Sequence, residues 1–299
     1  MVIRVLGLGD NVVDKYIDSK IMYPGGNALN FAVYANMIGI KASYLGIFGD
    51  DEAGSHVYQT TKALGITVDH CRYDKGENGY AKVTLEDGDR VFVGSNKGGV
   101  SAKHPMVLSD VDLAYISEFD IVHTSCFSYI EKELGKLRKF GKFISMDFSN
   151  RYTREYLQAC CQHIDCASIS CSDMKDHDII QLMKDMMAYG CKEMVIATRG
   201  SRGALVCVGD TFYEQSPCLI EATDTMGAGD SFITAFLTGY ISDMKHGVNF
   251  RKESGDKGIT NIEDYRDLVI KANLYRAAIF SSKVCTCNGA FGFGKRYKE

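Results

Sequence analysis

Residues 222–241, ATDTMGAGDSFITAFLTGYI, change abruptly from small and acidic residues to a repeating apolar pattern. In the second half, apolar residues recur every three or four positions, which is typical of a helix with one buried face. We therefore expect a helix that begins at about residues 228–230. Gly227, Ala228 and Gly229 leave little side chain over its first turn, so backbone N–H groups without helical partners stay accessible. Such a helix start favours an anion such as phosphate.

Two aspartates, Asp224 and Asp230, flank this loop. Asp230 cannot bind the anion itself because two negative charges repel, but its carboxylate can take a proton from an attacking hydroxyl group. The alternative is that both aspartates only cap the helix, which is a common role for Asp.

The string DTMGAGD at residues 224–230 resembles the D-T-x-G-A-G-D signature of the ribokinase family, also called the phosphofructokinase B family of sugar and nucleoside kinases. The resemblance implies that Asp230 is the catalytic base and that the backbone amides of Gly227, Ala228 and Gly229 hold the transferring phosphoryl group. It also implies that Asp224 shapes the loop, with a monovalent cation such as K⁺ bound nearby in some relatives. ATP and Mg²⁺ are the implied cosubstrate and metal.

The composition permits this interpretation. The chain has 299 residues, 45% of them hydrophobic, which is enough for a substantial core. A net charge of −4 with dispersed Lys and Arg argues against a nucleic-acid groove. Because no stretch reaches about 18 apolar residues and the N-terminus does not resemble a signal peptide, we expect a soluble, cytoplasmic protein without a membrane partner. The basic residues 295–298 are expected to be a solvated tail.

Short β-rich runs alternate with helical patterns along the chain, which indicates a mostly parallel sheet with helices on both faces. The few prolines and the absence of a low-complexity linker favour a single domain over residues 1–299. The resemblance implies an α/β, ribokinase-like three-layer sandwich. The strands predicted in this way are VIRVLGLG, KASYLGIFG, FDIVHTS, KFISMDFS, CASISC and EMVIATRG.

Residues 71–99 break the alternation, because a turn signal at residues 86–89 separates two runs of alternating apolar residues. Together with residues 15–23 they are predicted to form a small sheet that projects from the main body. Family members carry such a β-lid over the sugar site and sometimes form homodimers through it. The alternative is an ordinary surface hairpin.

A second motif, PGGNALNFA at residues 24–32, precedes a predicted helix. It matches the family's G-G-x-x-x-N-x-A element, which implies sugar contacts by Gly25, Gly26 and Asn30. Asp10 and Asp14 follow the first strand, where chains that leave a parallel sheet usually meet their ligand. A carboxylate can accept hydrogen bonds from two neighbouring hydroxyls, so both are candidate substrate ligands, with capping or turn chemistry as the alternative.

Three further segments resemble the nucleotide side of the family. TRGSRG at residues 198–203 resembles the T-x-G-x-x-G stretch beside ATP, although a Gly-rich turn between strands would look similar. DFSNR at 147–151 resembles D-x-N-x-R with Ser149 in the middle, and SCSD at 170–173 lies where many members have N-x-x-E, which organises Mg²⁺ and phosphate. Asp173 would replace that glutamate with a shorter reach. The predicted nucleotide-site residues are Thr198, Gly200, Gly203, Ser170, Asp173 and Asn288.

Zinc and P-loop sites do not fit the sequence, and a dinucleotide site is the weaker alternative. The eleven cysteines lack paired zinc-site spacing and are expected to be reduced thiols. GAFGFGK at residues 289–295 nearly spells a P-loop, but Arg296 replaces the Ser or Thr that should hold Mg²⁺. GLGDNVV at residues 7–13 lacks the third glycine of a dinucleotide fingerprint, so a nicotinamide oxidoreductase is the weaker class.

The resemblance covers nearly the whole chain and is strongest to the bacterial fructoselysine 6-kinase type within the family, in strings such as GDNVVD, GGNALNFAVY and DTMGAGDSFI. It implies phosphorylation of the 6-hydroxyl of a fructose-amino acid such as fructoselysine. A fructokinase, another sugar kinase or a catalytically weak sugar-binding relative are the alternatives. A polar insertion at residues 249–267 lies between the last two predicted helices.

Overall fold

The computed structural model describes residues 3–86, 89–140, 142–254 and 261–298. The strands are, in chain order, β1 (Arg4–Gly9), β2 (Val12–Tyr16), β3 (Ile21–Gly25), β4 (Lys41–Gly49), β5 (Arg72–Asp74), β6 (Gly79–Glu86), β7 (Asp89–Ser95), β8 (Ile121–Ser125), β9 (Phe143–Asp147), β10 (Cys166–Ser170), β11 (Met194–Thr198), β12 (Ala204–Val208), β13 (Thr211–Gln215) and β14 (Lys295–Arg296). The α-helices are α1 (Asn27–Met37), α2 (Glu52–Ala63), α3 (Gly99–Lys103), α4 (Asp110–Ile116), α5 (Leu134–Lys139), α6 (Arg154–Cys161), α7 (Asp176–Ala188), α8 (Ala228–Ser254) and α9 (Ile262–Val284).

The larger sheet has nine strands in the order β13-β12-β11-β10-β9-β8-β1-β4-β5. The neighbours from β11 to β5 run parallel, and only β12 and β13 join antiparallel. All the strands that we predicted from β-rich runs lie in this sheet, so the mostly parallel arrangement is confirmed.

Hydrophobic residues on the two faces of this sheet belong to separate cores. Val5 and Ile196 point into one core, which the apolar faces of α1, α2, α8 and α9 complete. Their chain neighbours Leu6 and Val195 belong to the other core, with residues of α4 to α7. Successive strand residues point to opposite faces, so a strand buried on both sides is apolar throughout. Helices therefore cover both faces, which confirms the three-layer α/β fold.

A second sheet of five strands, in the order β14-β3-β2-β6-β7, corresponds to the predicted lid. Residues 15–23 and 71–99 both contribute, as the hairpins β2–β3 and β6–β7. The centre of the predicted turn, residues 87–88, lies outside the described residues. One boundary was wrong, because β5 pairs in parallel with β4 and thus belongs to the larger sheet.

The prediction of a solvated basic tail was only partly right, because Lys295, Arg296 and Lys298 are exposed but the segment is not a free tail. β14 pairs antiparallel with the outer edge of β3, and the backbone N–H of Tyr297 donates to the carbonyl of Lys20 at 3.1 Å. Lys295 also forms an ion pair with Glu52 at 3.0 Å. An open strand edge exposes unpaired N–H and C=O groups, and the basic segment covers that edge at Ile21 and Met22.

The helix predicted from residues 222–241 begins at Ala228, as expected. The polar insertion at residues 249–267 is largely helical where it is described, because α8 continues to Ser254 and α9 starts at Ile262. Residues 255–260 lie outside the described part of the chain. All eleven cysteines are free, which agrees with the expected reduced thiols. Of the helices in the described ranges, none has the length and apolar character needed to cross a bilayer.

Candidate active site

Asn30 on α1 and Asp230 in the first turn of α8 meet although 200 residues separate them. The Asn30 Nδ2 atom donates a hydrogen bond of 2.6 Å to Asp230 Oδ2. The amide oxygen of Asn30 is buried and has no hydrogen-bond partner among the described residues. A buried acceptor without a partner costs about 1–3 kcal/mol, and a ligand hydroxyl could satisfy it. This pair is the centre of the candidate site.

The glycine pair before α1 makes room for a carboxylate. A Cβ atom on Gly25 would lie 2.8 Å from Asp14 Oδ2 and 3.8 Å from Asn30 Oδ1, so any side chain here would displace the buried Asp14. Gly26 has a φ of 114°, which favours glycine, and is the N-cap of α1. The structure thus brings four predicted residues together: Asp14, Gly25, Asn30 and Asp230.

Asp10 lies beside this group but bonds to the protein itself. Its carboxylate accepts hydrogen bonds from the backbone N–H groups of Asn27 at 2.7 Å and Ala28 at 3.2 Å. The hydroxyl groups of Ser125 and Ser128 donate to it at 2.6 and 2.9 Å. These bonds cap α1 and match the capping alternative, while sugar binding by Asp10 stays a prediction.

Asp147, the first residue of the DFSNR segment that we compared with the nucleotide side of the family, is a further carboxylate that interacts with Asp230. Its Oδ2 atom accepts a hydrogen bond of 3.0 Å from Asn27 Nδ2, and its Oδ1 atom accepts one of 2.7 Å from the N–H of Ser149. Burial, together with the negative charge of Asp230, raises the pKa of Asp147 to about 7. The raised pKa favours the protonated form of Asp147, which reduces repulsion between the two carboxylates.

Two glycines, one on each side of the first residue of α8, have different surroundings. Gly227 has a φ of 75°, and a Cβ atom there would lie 2.0 Å from the Tyr34 hydroxyl oxygen. That hydroxyl donates a 2.6 Å hydrogen bond to the carbonyl of Ala290, so Tyr34 is fixed. At Gly229, a Cβ atom would lie no closer than 3.6 Å to any neighbour, the nearest being Thr198 Oγ1. Space is therefore left for a ligand beside Gly229, whereas Tyr34 fills the space beside Gly227.

Asp224 is fully buried and joins three parts of the chain. It accepts hydrogen bonds from the backbone N–H groups of Met226 at 2.9 Å and Gly289 at 2.8 Å, and from the hydroxyl of Tyr16 at 2.5 Å. The loop before α8, the segment before β14 and the lid strand β2 are therefore tied at one carboxylate. Tyr16 was not predicted as a site residue, because it belongs to no motif and lies only in the predicted lid segment 15–23. A monovalent cation near Asp224 stays a prediction.

The predicted nucleotide residues lie at the carboxyl ends of two neighbouring strands. Ser170 on β10 pairs in register with Thr198 on β11. Gly200 has a φ of 58°, and Gly203 has a φ of 81° with no room for a Cβ atom, since one would lie 2.1 Å from the carbonyl of Gln215. Thr198 also adjoins Gly229, so this edge is continuous with the first turn of α8.

The other two residues predicted to bind the nucleotide make fewer contacts with the protein. Asp173 and Asn288 are exposed, and their side chains form no hydrogen bond with the rest of the described chain. In contrast, Arg199 and Arg202 hold the loop between β11 and β12. Arg199 is buried and bonds to Glu214 at 2.7 Å, and Arg202 bonds to the carbonyl of Met174 at 2.7 Å.

The model of the pfkB family of carbohydrate kinases matches residues 5–251, well over half of the chain. The chain belongs to the pfkB family. It is 38% identical over 296 residues to fructosamine kinase FrlD of Bacillus subtilis, covering 99% of this chain and 95% of that protein. It is 35% identical over 237 residues to fructoselysine 6-kinase of Escherichia coli, covering 79% of this chain and 89% of that one.

A solved structure shows the same fold. Ribokinase of Arabidopsis thaliana, complexed with ribose and ATP, superposes with a TM-score of 0.74 at 18% identity, covering 97% of this chain and 95% of the other. Membership of the pfkB family makes the chain an ATP-dependent sugar kinase, which confirms the enzyme class expected from DTMGAGD.

Proposed function

We propose that this pfkB-family kinase transfers the γ-phosphoryl group of ATP to the 6-hydroxyl of a fructose-amino acid such as fructoselysine. The observation that carries the proposal is the contact between Asn30 and Asp230. It joins the candidate sugar ligands on the lid side to the anion-binding first turn of α8. The substrate class is supported by the relatives that act on fructosamine and fructoselysine, as their names state.

In the proposed reaction, Asp230 accepts the proton of the 6-hydroxyl while the hydroxyl oxygen attacks the γ-phosphorus. The bond between that phosphorus and the bridging oxygen of ADP breaks at the same time. Backbone N–H groups of residues 227–229 hold the transferring phosphoryl oxygens. Because the transition state of phosphoryl transfer is loose, positioning and charge neutralisation supply most of the catalysis. Asp14 and Asn30 bind other hydroxyls of the sugar, with the backbone of Gly25 and Gly26 beside them.

We propose that ATP binds along the edge formed by Ser170, Thr198, Gly200 and Gly203. The proximity of Thr198 to Gly229 supports this assignment, since it joins that edge to the phosphoryl site. Mg²⁺ is usually held by substrate phosphates with one or two carboxylates, and the exposed Asp173 fits that need. When bound, Mg²⁺ would neutralise phosphate charge.

Several further proposals concern the protein as a whole. We propose a single kinase domain that acts in the cytoplasm, which the free state of its cysteines supports. We also propose a homodimer formed through the lid, because Phe92 and Val93 are exposed on its edge strand β7. K⁺ near Asp224 remains part of the proposal, to be tested by replacing K⁺ with Na⁺ in the assay.

The first experiment is an ATP-dependent phosphorylation assay on fructoselysine, other fructose-amino acids, fructose, ribose and ketodeoxygluconate. It compares the wild type with Asp230→Asn, which removes the base and keeps an amide that can still contact Asn30. Loss of a positioned base reduces the rate by roughly 10²–10⁴-fold. Asp264→Asn, an exposed aspartate on α9, is the matched control and should turn over normally.

The outcomes separate the parts of the proposal. Preference for a fructose-amino acid over fructose, with loss of activity in Asp230→Asn, supports both substrate class and base. Activity on a simple sugar alone removes the substrate assignment and keeps the kinase. Wild-type turnover by a folded Asp230→Asn enzyme removes the assignment of the base. The phosphorylated carbon is identified by phosphorus coupling in the carbon spectrum of the product.

A further inference from the structure

A groove of about 300 Å³ lies between α8, α9 and the chain at the end of α1, away from the candidate active site. Ligand pockets in proteins span about 300–1,000 Å³, so the groove can hold a small molecule. Asp243, which lines it, follows Asp230 by 13 residues on α8. Because a helix rises about 1.5 Å per residue, the two aspartates lie about 20 Å apart along the helix axis. A molecule bound at Asp243 would therefore not occupy the proposed phosphoryl site.

The groove exists because α8 carries small side chains on the face that it turns towards α9. Ala235, Gly239 and Ser242 recur at helical spacing, and all three line the groove. At Gly239, a Cβ atom would lie 2.1 Å from Asn273 Oδ1, so the two helices approach each other closely at this point. The close approach brings the polar side chain of Asn273 on α9 against α8.

The walls of the groove are apolar. Ile38, Ile40 and Phe280 line it, and the large hydrophobic side chain of Ile38 is 37% exposed. The ring of Phe280 packs edge-on against that of Tyr34, with the ring centroids 6.0 Å apart, which holds the aromatic wall in place. Covering such a wall removes apolar surface from water, which is favourable. The walls therefore suit an apolar part of a ligand.

The polar end of the groove places a carboxylate beside a guanidinium group. The Arg276 Nη1 atom donates a hydrogen bond of 3.1 Å to Asp243 Oδ2, and the Asn273 Nδ2 atom donates one of 2.9 Å to the same oxygen. Asn273 is buried and also donates to the carbonyl of Val269 at 2.9 Å. Because Asn273 is fixed in this way, it holds the carboxylate of Asp243 at the end of the groove.

Both charged groups have further capacity for hydrogen bonds. The side chain of Arg276 is 65% exposed and bonds to the described residues through Nη1 alone, so Nε and Nη2 can donate to a carboxylate. The side chain of Asp243 is 35% exposed, and a carboxylate has about four acceptor positions, so it can also accept from an ammonium group. The C-terminal end of α1, which has no basic residue in its last turn, contributes partial negative charge beside Ile38.

We propose that this groove binds a free α-amino acid with an apolar side chain. Arg276 pairs with its carboxylate, Asp243 accepts hydrogen bonds from its ammonium group, and the side chain lies against Ile38, Ile40 and Phe280. A ligand with a single charge would pair with only one of the two charged groups, whereas a zwitterion pairs with both. No sequence motif indicated this site, because its residues come from three separate segments that meet only in the fold.

The test is calorimetric titration of the full chain with L-leucine and L-phenylalanine. Three analogues of leucine each lack one feature: isopentylamine has no carboxylate, isocaproate has no ammonium group, and glycine has no apolar side chain. Arg276→Gln removes the cation, and Ser242→Phe fills the groove without a change of charge. Arg154→Gln, at an exposed position on α6, is the matched control. Asp230→Asn shows whether the amino acid binds at the active site instead.

We expect at least one of the two amino acids to bind to the wild type. Arg276→Gln should raise its Kd roughly ten- to a hundredfold, as expected for the loss of a hydrogen bond between charged groups. Ser242→Phe should abolish binding, whereas Arg154→Gln and Asp230→Asn should bind as the wild type does. Each of the three analogues should bind more weakly than leucine, by about tenfold or more.

Several outcomes would overturn the inference. These are no binding of either amino acid to the wild type, an unchanged Kd in Ser242→Phe or Arg276→Gln, or loss of binding in Asp230→Asn. If isocaproate or isopentylamine binds as tightly as leucine, the groove recognises a single charge and the assignment to amino acids is wrong. Thermal unfolding and kinase activity show whether each groove variant is folded. The phosphorylation assay tests the proposed function independently of these titrations.

Discussion

Gly227 allows a quantitative test of how the loop before α8 is held. Replacing it with Ala forces a side chain into a left-handed conformation, which costs about 1–2 kcal/mol. It also places a Cβ atom 2.0 Å from the Tyr34 hydroxyl oxygen, and such overpacking typically costs about 1–3 kcal/mol. Gly227→Ala should therefore lower the free energy of unfolding by about 2–5 kcal/mol.

The second part of that cost depends on a single oxygen atom. Tyr34→Phe removes this atom and its hydrogen bond to Ala290, at a cost of about 1–3 kcal/mol because the buried carbonyl loses its donor. In the double variant, the closest remaining atoms to the new Cβ are the Tyr34 Cζ position at 3.1 Å and the Ala290 Cβ atom at 3.3 Å, so only small shifts are needed. The double variant should then be more stable than the sum of the single changes predicts, by about 1–3 kcal/mol.

The assay is urea unfolding of the four proteins of this cycle, followed by circular dichroism. Gly229→Ala is the control for the loop, because its Cβ atom meets nothing closer than 3.6 Å and α8 prefers Ala to Gly. It should keep or raise stability while it reduces kinase activity, since the new methyl group lies over the proposed phosphoryl site. Additivity of the Gly227 and Tyr34 changes to within about 0.5 kcal/mol would refute the steric argument.

Three other predictions concern buried polar groups. Burial lowers the pKa of His123 from 6.5 to about 3, so the unfolded chain takes up a proton and stability should fall as pH drops from 6.5, by about 1.4 kcal/mol per pH unit. His123→Gln should abolish this slope in urea unfolding, whereas the same change at exposed His177 should not. For Asp147 the sign is opposite, because its raised pKa means that stability is lost as pH rises from 3.8 to about 7. Over that range, Asp147→Asn should become more stable relative to the wild type. A difference in unfolding free energy between the two proteins that does not change with pH would contradict the raised pKa. Tyr16→Phe should raise KM for both sugar and ATP, because it removes the hydrogen bond between the lid and Asp224. KM values equal to those of the wild type would show that this hydrogen bond does not position the loop.

Local sequence patterns predicted much of the fold because each pattern has a direct physical cause. The apolar period after DTMGAGD places the start of α8 correctly, and the β-rich runs predict the strands buried on both faces. The assignment of β5 failed because a three-residue strand has no period to detect, and its partner β4 is distant in sequence. The prediction for β14 failed for a related reason. The charges of this segment indicate only exposure to solvent, and its pairing depends on the open edge of β3, which is distant in sequence.

The site was predictable where a motif brings its own backbone requirements. Gly25 leaves room for Asp14 and Gly26 has a positive φ, and the Gly-Gly pair before a predicted helix already indicates such requirements. The contacts between segments were not predictable, because Tyr16 meets Asp224 only through the fold. For Asp10, the position at the end of a strand suggested a ligand, whereas in the structure its carboxylate accepts hydrogen bonds from α1, from Ser125 at the end of β8 and from Ser128.

The pairing of β14 with β3 also orders events during synthesis. Residues 21–25 leave the ribosome early, but the strand that covers their open edge is made only when residues 295–296 are translated. Until then, the nascent lid presents unpaired backbone groups to neighbouring chains. A message cut short after residue 294 would encode all the residues discussed for sugar, nucleotide and phosphoryl binding, yet leave the sheet over them with an exposed edge. The five-stranded lid sheet is therefore complete only once residues 295–296 have been translated.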